Sequence, residues 1–299
     1  ECLLTASFSV SSRSRNYSCI TVFGLVGNGL VLVLLIRNRR QSSTFHVYMV
    51  NLAVSDLLCV MSACLRVLYY VNKGQWDYGD FLCRFGSYTL YVNLYCSIYL
   101  MAAMSVSRFL AIVFPLQNMQ LVTTKCARLV CLCIWLFICL LSSPFLTGGQ
   151  YVDSRTNKTK CYEPRQGQAL RKLIVLNYLS LVLGFALPFL VILLCYAGII
   201  WTLLSRNAQQ YAGNKVIRMI VIILLTFLVS FMPYHVQRTI HLNFLSRVDT
   251  TCSERTTMQK SVVVTLCLAA ANSCLDPLLY LFSGEGFRNC LSVVRRSHT

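Results

Sequence analysis

The sequence predicts an all-α membrane protein: a seven-transmembrane helix bundle followed by a short amphipathic helix on the membrane surface. Three observations carry that expectation. Apolar residues make up 56% of the chain and charged residues only 12%, about half the charged share of a soluble domain. Apolar runs recur at roughly 16–36, 44–71, 82–114, 126–147, 170–204, 214–243 and 258–282, each long enough to cross a hydrocarbon core of about 30 Å. The mean hydropathy is +0.61. The expected organisation is an extracellular N-terminal segment at 1–15, one membrane domain at 16–282, and the amphipathic helix with the start of a cytoplasmic tail at 283–299. The first residue is Glu1, not Met, so the native start is expected upstream.

The formal charge is +17, from 27 Lys and Arg against 10 Asp and Glu. A basic chain can bind nucleic acid. Here the charges lie mostly between apolar runs, which favours lipid headgroups and anionic partners instead.

The first run contains Gly27-Asn28. The second places Asp56 in Leu-Ala-Val-Ser-Asp and Arg66 ten residues further outward, about 15 Å along a helix. The third, opening at Cys83, has work at three depths. Tyr88, Tyr91, Tyr95 and Tyr99 recur at three- and four-residue spacing and so share a face. Asn93 and Ser97 share another, and Arg108 lies 25 residues beyond Cys83, at the far surface of the bilayer. The fourth run carries Trp135 and the thiols Cys131, Cys133 and Cys139, which read as small hydrophobes. The fifth has Pro188 and Tyr196, and the sixth Phe227, Phe231-Met232-Pro233-Tyr234, Arg238 and His241. The seventh has Asn272 and Asp276-Pro277-Leu278-Leu279-Tyr280. Prolines inside membrane helices kink them and free carbonyls, and flanking aromatics make Pro233 and Pro277 candidate hinges. In the tail, Phe287, Leu291 and Val294 form an apolar face beside Arg288, Arg295 and Arg296, the pattern of a helix lying on the inner leaflet. Cys290 there is a palmitoylation candidate, with an unmodified thiol as the equal alternative.

Orientation does not follow from loop charges. One set of loops has twelve Lys and Arg with one acid, the other thirteen with seven acids. Two glycosylation acceptors, Asn16-Tyr17-Ser18 and Asn157-Lys158-Thr159, fall on the N-terminal side, as do the loop cysteines Cys2, Cys83, Cys161 and Cys252. An oxidising exterior fits all six, so the N-terminus is expected outside, at the plasma membrane.

Polar groups within a bilayer are costly and mark function. Asp56 and Asp276, with Asn93, Ser97 and Asn272 as partners, suggest a site for a hard cation such as Na⁺, which takes oxygen ligands. A hydrated hydrogen-bonded cluster with one protonated acid is the other reading. Arg66 and Arg238 near the outer ends have no acidic partner in sequence. Beside a tyrosine face they call for a carboxylate or phosphate, unless they snorkel to the headgroups. Lys73, Arg165, Arg171 and Lys172 would steer an anion inward. The four histidines, His46, His235, His241 and His298, have no nucleophile and acid arranged around them, and no phosphate-binding glycine loop is present. The chain does not read as an enzyme.

These residues in this order resemble the rhodopsin-like (class A) G-protein-coupled receptors over essentially the whole chain. The resemblance rests on Gly27-Asn28, Leu52 to Asp56, Trp76 and Gly79 before Cys83, Arg108, Trp135, Pro188, Tyr196, Phe227, Pro233 and Asp276-Pro277 with Tyr280. Within the class, Leu65–Trp76, Leu90–Ile98, Phe231–Leu242 and Met258–Val263 are similar to the cysteinyl leukotriene receptors, the type-one group in particular. Four positions depart from common patterns. Ser107 precedes Arg108 where an acid is usual, Phe231 stands for Trp, Asp276 for Asn, and Cys64 for a Pro two residues before Arg66.

The resemblance implies disulfides Cys83–Cys161 and Cys2–Cys252. It implies a ligand pocket of Arg66, Tyr91, Tyr95, Tyr234, Arg238 and His241. Sodium at Asp56 is expected as an allosteric ion. Arg108, Tyr196, Phe227, Phe231, Pro233 and Tyr280 are expected to repack on activation and open a cleft for a heterotrimeric G protein, of Gq type, leading to calcium release. The alternatives are a nucleotide or other anionic-lipid receptor of the same branch and, more distantly, a transporter or channel.

Overall fold

The computed structural model describes residues 2–37, 43–114, 122–154, 157–162, 168–205, 210–246 and 251–282. The described chain is helical apart from one short hairpin. Helix α1 spans Cys2–Arg37, α2 Thr44–Val71, α3 Gly79–Val113 and α4 Thr124–Ser142, the last tightening into a 3₁₀ turn at Ser143–Thr147. Strands β1 (Tyr151–Asp153) and β2 (Lys158–Lys160) pair antiparallel, Val152 opposite Thr159. Helices α5 (Gln168–Leu179) and α6 (Leu187–Ser205) form one rod through a π-helical turn at Ser180–Ala186. Then follow α7 (Gln210–Leu245) and α8 (Cys252–Phe282).

Six of these rods are long and apolar enough to cross a membrane, and α1 adds a shorter apolar stretch, Thr21–Arg37. Helix α1 begins at Cys2, well before the apolar run near residue 16. No Gly or Pro precedes Gly24, so nothing breaks the helix there. The amphipathic segment expected at 283–299, with Cys290, lies outside the described residues, as does the side-chain placement of Cys2, Asn16, Cys252 and Tyr280.

Local sequence sets the helix starts. Ser43 accepts from the His46 N–H at 3.2 Å and Thr123 from the Cys126 N–H at 3.2 Å, each a hydroxyl N-cap satisfying an orphan donor. Thr251 and Glu254 form a reciprocal capping box at α8. The hydrogen bonds from Thr251 hold the Glu254 carboxyl below its ordinary range.

The bundle is inverted relative to a soluble protein. Large apolar residues such as Phe81, Leu140 and Trp201 face outward, while Asn28, Asp56, Asn93, Asn272 and Asp276 are buried among the helices. Helix α3 is the central rod: it packs on α2, α4, the π turn, α6 and α8, and Cys96, Ile98 and Leu100 on it are fully buried. Helix α2 packs on α1, α3, α4 and α8, and Asn51 accepts from the Trp135 indole of α4 at 3.0 Å.

The tyrosine face of α3 divides between neighbours. Tyr88 donates to the Cys139 carbonyl on α4 at 3.1 Å. Tyr99 donates to the Leu183 carbonyl at 2.7 Å. That carbonyl lies in the π turn, where Leu187 N–H bonds back five residues to Val182 and Pro188 supplies no N–H at all. Only Tyr91 and Tyr95 are left for the pocket.

Candidate functional site

The outer half of the bundle gathers two guanidinium groups and a set of phenols. Arg238 of α7 donates to the hydroxyls of Tyr91 on α3 and Tyr234 one turn earlier on α7. Its guanidinium lies 4.8 Å from the Tyr91 ring, 5.6 Å from Phe145 and 5.7 Å from Tyr234. Tyr91 stacks on Phe145 of the 3₁₀ turn at 3.9 Å between centroids, which fixes the wall behind the cation. Among the described residues no carboxylate pairs with Arg238. Arg66 of α2 is 5% exposed. Its guanidinium stands 4.2 Å from the Tyr162 ring, so it turns inward even though α2 runs without a proline from Thr44 to Val71. Both arginines lie within Coulombic reach of the Tyr91 phenol. Tyr95 and Tyr234 are buried, and buried His241 has no partner at Nδ1 among the described residues.

The rim above the pocket is fixed covalently. Cys83, at the outer end of α3, is bonded to Cys161, which ends the hairpin, with a Cα–Cα distance of 5.9 Å. Tyr162 follows, its ring edge-on to Tyr69 at 5.7 Å and Trp76 at 5.5 Å. Trp76 donates to the Gly79 carbonyl at 2.7 Å, and its backbone N–H joins the hairpin at Thr159, 2.9 Å away. Burial pushes the Tyr162 phenol up to about 12, against the pull of Arg66, so it stays neutral. The rim is cationic as well: Lys73, Lys158 and Lys160 lie together, with Lys158 Nζ 3.4 Å from the Lys73 carbonyl. Arg171 and Lys172 sit on α5, and Arg165 lies outside the described residues.

Below the pocket is an aromatic stack. Phe227 lies parallel to Phe185 and Phe189 at 5.7 and 5.4 Å, and Phe231 meets its edge at 5.2 Å. His235 stacks on Phe185 at 4.8 Å and is 1% exposed, with Nε2 unpartnered among the described residues. No role was expected for it, yet Phe227, Phe231 and His235 recur at four-residue spacing and so share a face. Phe145 and Tyr162 were missed too. The position of Tyr162 next to Cys161 was the available signal.

Deeper still is the polar cluster. Asn93 donates to Asp56 Oδ1 and to Ser55 Oγ, both at 3.1 Å. Asn272 donates to Asp276 Oδ2 at 2.8 Å, and the two carboxyls neighbour one another. Asn28 ties α1 to the Ser273 carbonyl at 2.6 Å. Asp56 also meets Ser273 and Asp276, while four buried oxygens, Asp56 Oδ2, Ser97 Oγ, Asn272 Oδ1 and Asp276 Oδ1, have no hydrogen-bond partner among the described residues. These four oxygens, two of them from the acids, come from three helices and are of the type a small hard cation takes. No group of three or more His, Cys, Asp or Glu occurs among the described residues, so a softer metal finds no such set there.

At the inner end, Ser107 turns to Tyr48 of α2, its Oγ donating to the phenol oxygen at 3.3 Å. Arg108 lies instead 5.1 Å from the Phe45 ring and beside Tyr196, with its Nη1 unpartnered among the described residues. Phe45, Arg108 and Tyr196 line a narrow cavity with Met101, Met104 and Ile223. Pro233 and Pro277 lie inside α7 and α8. Pro277 packs so closely on α1 that a Cβ at Gly27 would stand 3.1 Å from its Cγ. Asn157 is exposed in the hairpin turn, open to modification.

Residues 27–280 match the family 7 transmembrane receptor (rhodopsin family). The chain is 54% identical over 286 residues to cysteinyl leukotriene receptor 1 of Cavia porcellus, covering 95% of this chain and 84% of that protein. Against cysteinyl leukotriene receptor 1 of Homo sapiens it is again 54% identical, over 95% of this chain and 85% of that one. Cysteinyl leukotriene receptor 2 of Sus scrofa is 39% identical over 94% of this chain and 80% of its own. With a helical bundle, an inward polar core and this similarity along nearly its whole length, the chain is a multi-pass membrane protein and belongs to the rhodopsin family of seven-transmembrane receptors.

Proposed function

We propose that this chain is a plasma-membrane receptor for cysteinyl leukotrienes, lipids with carboxylates on a peptide-like head, and that it signals through a Gq-type G protein to calcium. One observation carries the reading. Arg238, a half-buried guanidinium in the outer half of the bundle, is bracketed by two phenols and meets no carboxylate among the described residues. A cation drawn between helices in this way is best matched by an anion. Arg238 and Arg66 hold the carboxylates, and Tyr91, Tyr95, Tyr234 and His241 line the pocket. The apolar tail lies between helices.

Binding favours the state in which α7 pivots at Pro233, the Phe227–Phe231 contact repacks, and Arg108, Tyr196 and Tyr280 rearrange towards the G protein. Residues Asp56, Asn93, Ser97, Asn272 and Asp276 would hold a sodium ion, which supplies positive charge between the two acids. The N-terminus faces outward, with glycans at Asn16 and Asn157, a second disulfide at Cys2–Cys252, and the tail including Cys290 on the inner leaflet. The test is calcium release in cells given a panel of cysteinyl leukotrienes and nucleotides. Response to a leukotriene at nanomolar levels is the expected result, and response to nucleotides alone would replace this reading with a nucleotide receptor.

A further inference from the structure

Arg66 sits on an uninterrupted helix, and nothing within α2 bends it toward the pocket. What lies on it is the ring of Tyr162, 4.2 Å from the guanidinium carbon. Tyr162 is itself held from every side. The Cys83–Cys161 bond anchors the residue before it. Tyr69 and Trp76 meet its ring edge-on. Its hydroxyl lies over Gly86 of α3, where a Cβ would come within 2.6 Å of the phenol oxygen. Ser62 fixes that stretch of α3 by donating to the Gly86 carbonyl at 2.6 Å. The backbone of Tyr162 is left-handed, φ 66°, a conformation a bulky residue keeps only when its surroundings impose it. The phenol oxygen is buried and finds no partner among the described residues. The ring, not the hydroxyl, is therefore what this arrangement serves.

We propose that Tyr162 is a positioning residue for anion recognition: its ring, seated on Gly86 by the disulfide-tethered hairpin, holds the Arg66 guanidinium inside the outer half of the bundle. A planar guanidinium carries five N–H donors in its plane, so it can stack on an aromatic face and still donate to a carboxylate from its edge. The outer hairpin thus becomes part of the binding site without touching the ligand. The clamp then has two differently built arms. Arg238 is held by the hydrogen bonds it donates to Tyr234 on its own helix and Tyr91 on α3, and Arg66 has a ring from the loop against it. This inference rests on the receptor reading given above.

The experiment is equilibrium binding of a tritiated cysteinyl leukotriene to the intact receptor in membranes, with surface density measured for every variant. Tyr162→Phe keeps the ring and removes an unpartnered hydroxyl, so affinity should stay within about threefold of wild type. Tyr162→Leu loses the stacking surface and should weaken binding about tenfold. Gly86→Ala lifts the phenol off its seat and should weaken binding in the same direction, with Gly86→Ala/Tyr162→Phe recovering most of the loss. In an Arg66→Ala background Tyr162→Leu should cost nothing further, because the two act as one unit. Equal affinity for wild type and Tyr162→Leu, or full additivity with Arg66→Ala, overturns the positioning role and leaves the receptor reading intact. Absence of leukotriene binding by wild type at normal surface density overturns both.

Discussion

Ser107 donates its hydroxyl to the Tyr48 phenol on α2 at 3.3 Å, so the residue preceding Arg108 ties α3 to α2 and leaves the arginine to others. Arg108 lies over Phe45 and beside Tyr196. A cation held by a ring and a phenol is restrained more weakly than one locked to a carboxylate, because a cation–π contact contributes about 0.5–2 kcal/mol. Phe45→Leu is expected to raise ligand-independent signalling about fivefold at matched surface density. Basal activity equal to wild type would show that the ring does not restrain Arg108.

Arg238 makes its two hydrogen bonds through Nη1, to Tyr91 and Tyr234, which leaves the other edge of the fork for a ligand. Arg238→Ala should lower leukotriene affinity about a hundredfold, in line with loss of charge-assisted bonds of about 1.5–3 kcal/mol each. Arg238→Lys should recover little, since an ammonium cannot bond two phenols and a carboxylate in one plane. Binding on intact cells settles the matter, and a lysine variant with wild-type affinity would reduce the site to simple charge attraction.

The four open oxygens around Asp56 and Asp276 give the sodium proposal its own test. A ligand that binds the folded state at about ten times its dissociation constant stabilises it by about 1.4 kcal/mol. For a chain of this size that is a rise of a few degrees in midpoint, roughly 3–6 °C. Detergent-solubilised receptor should therefore melt higher in sodium chloride than in choline chloride. In Asp56→Asn the difference should vanish, because the acceptor Oδ2 becomes a donor or a neutral oxygen. A sodium effect of the same size in Asp56→Asn would move the ion elsewhere.

Fold and site were legible to different depths. Seven apolar runs and their flanking caps are local signals, and helices in a bilayer must satisfy their own backbone, so the bundle followed from the sequence. Asp56, Asp276 and Asn93 were legible because polar groups are too costly in a membrane to be incidental. Which tyrosines of α3 face the pocket was not. Spacing puts Tyr88, Tyr91, Tyr95 and Tyr99 on one face, but that face meets three neighbours, and only the partner carbonyls at Cys139 and Leu183 separate structural phenols from pocket ones. Tyr162 and Phe145 were hidden for a related reason: both approach the site from connections whose path is fixed by long-range contacts. Helix α1 reaches back to Cys2, upstream of the apolar run, because hydropathy marks the span and no Gly or Pro interrupts the helix before it.

The π turn of the fifth span gives a prediction independent of any ligand. Gly184 lies within it, and a Cβ there would sit 2.5 Å from Cε1 and 2.7 Å from Cδ1 of Tyr95. Tyr95 cannot retreat freely. It is 2% exposed, and His235 stands behind it with its ring centroid 6.0 Å away. Gly184→Ala should therefore displace the tyrosine or straighten the turn, and overpacking of this kind costs about 1–3 kcal/mol. The thermal midpoint should fall by several degrees. In the double variant Gly184→Ala/Tyr95→Leu, where the ring is gone, most of the loss should disappear. If the double variant melts as low as the sum of the two single changes, the glycine is required by the backbone of the π turn and not by the ring of Tyr95.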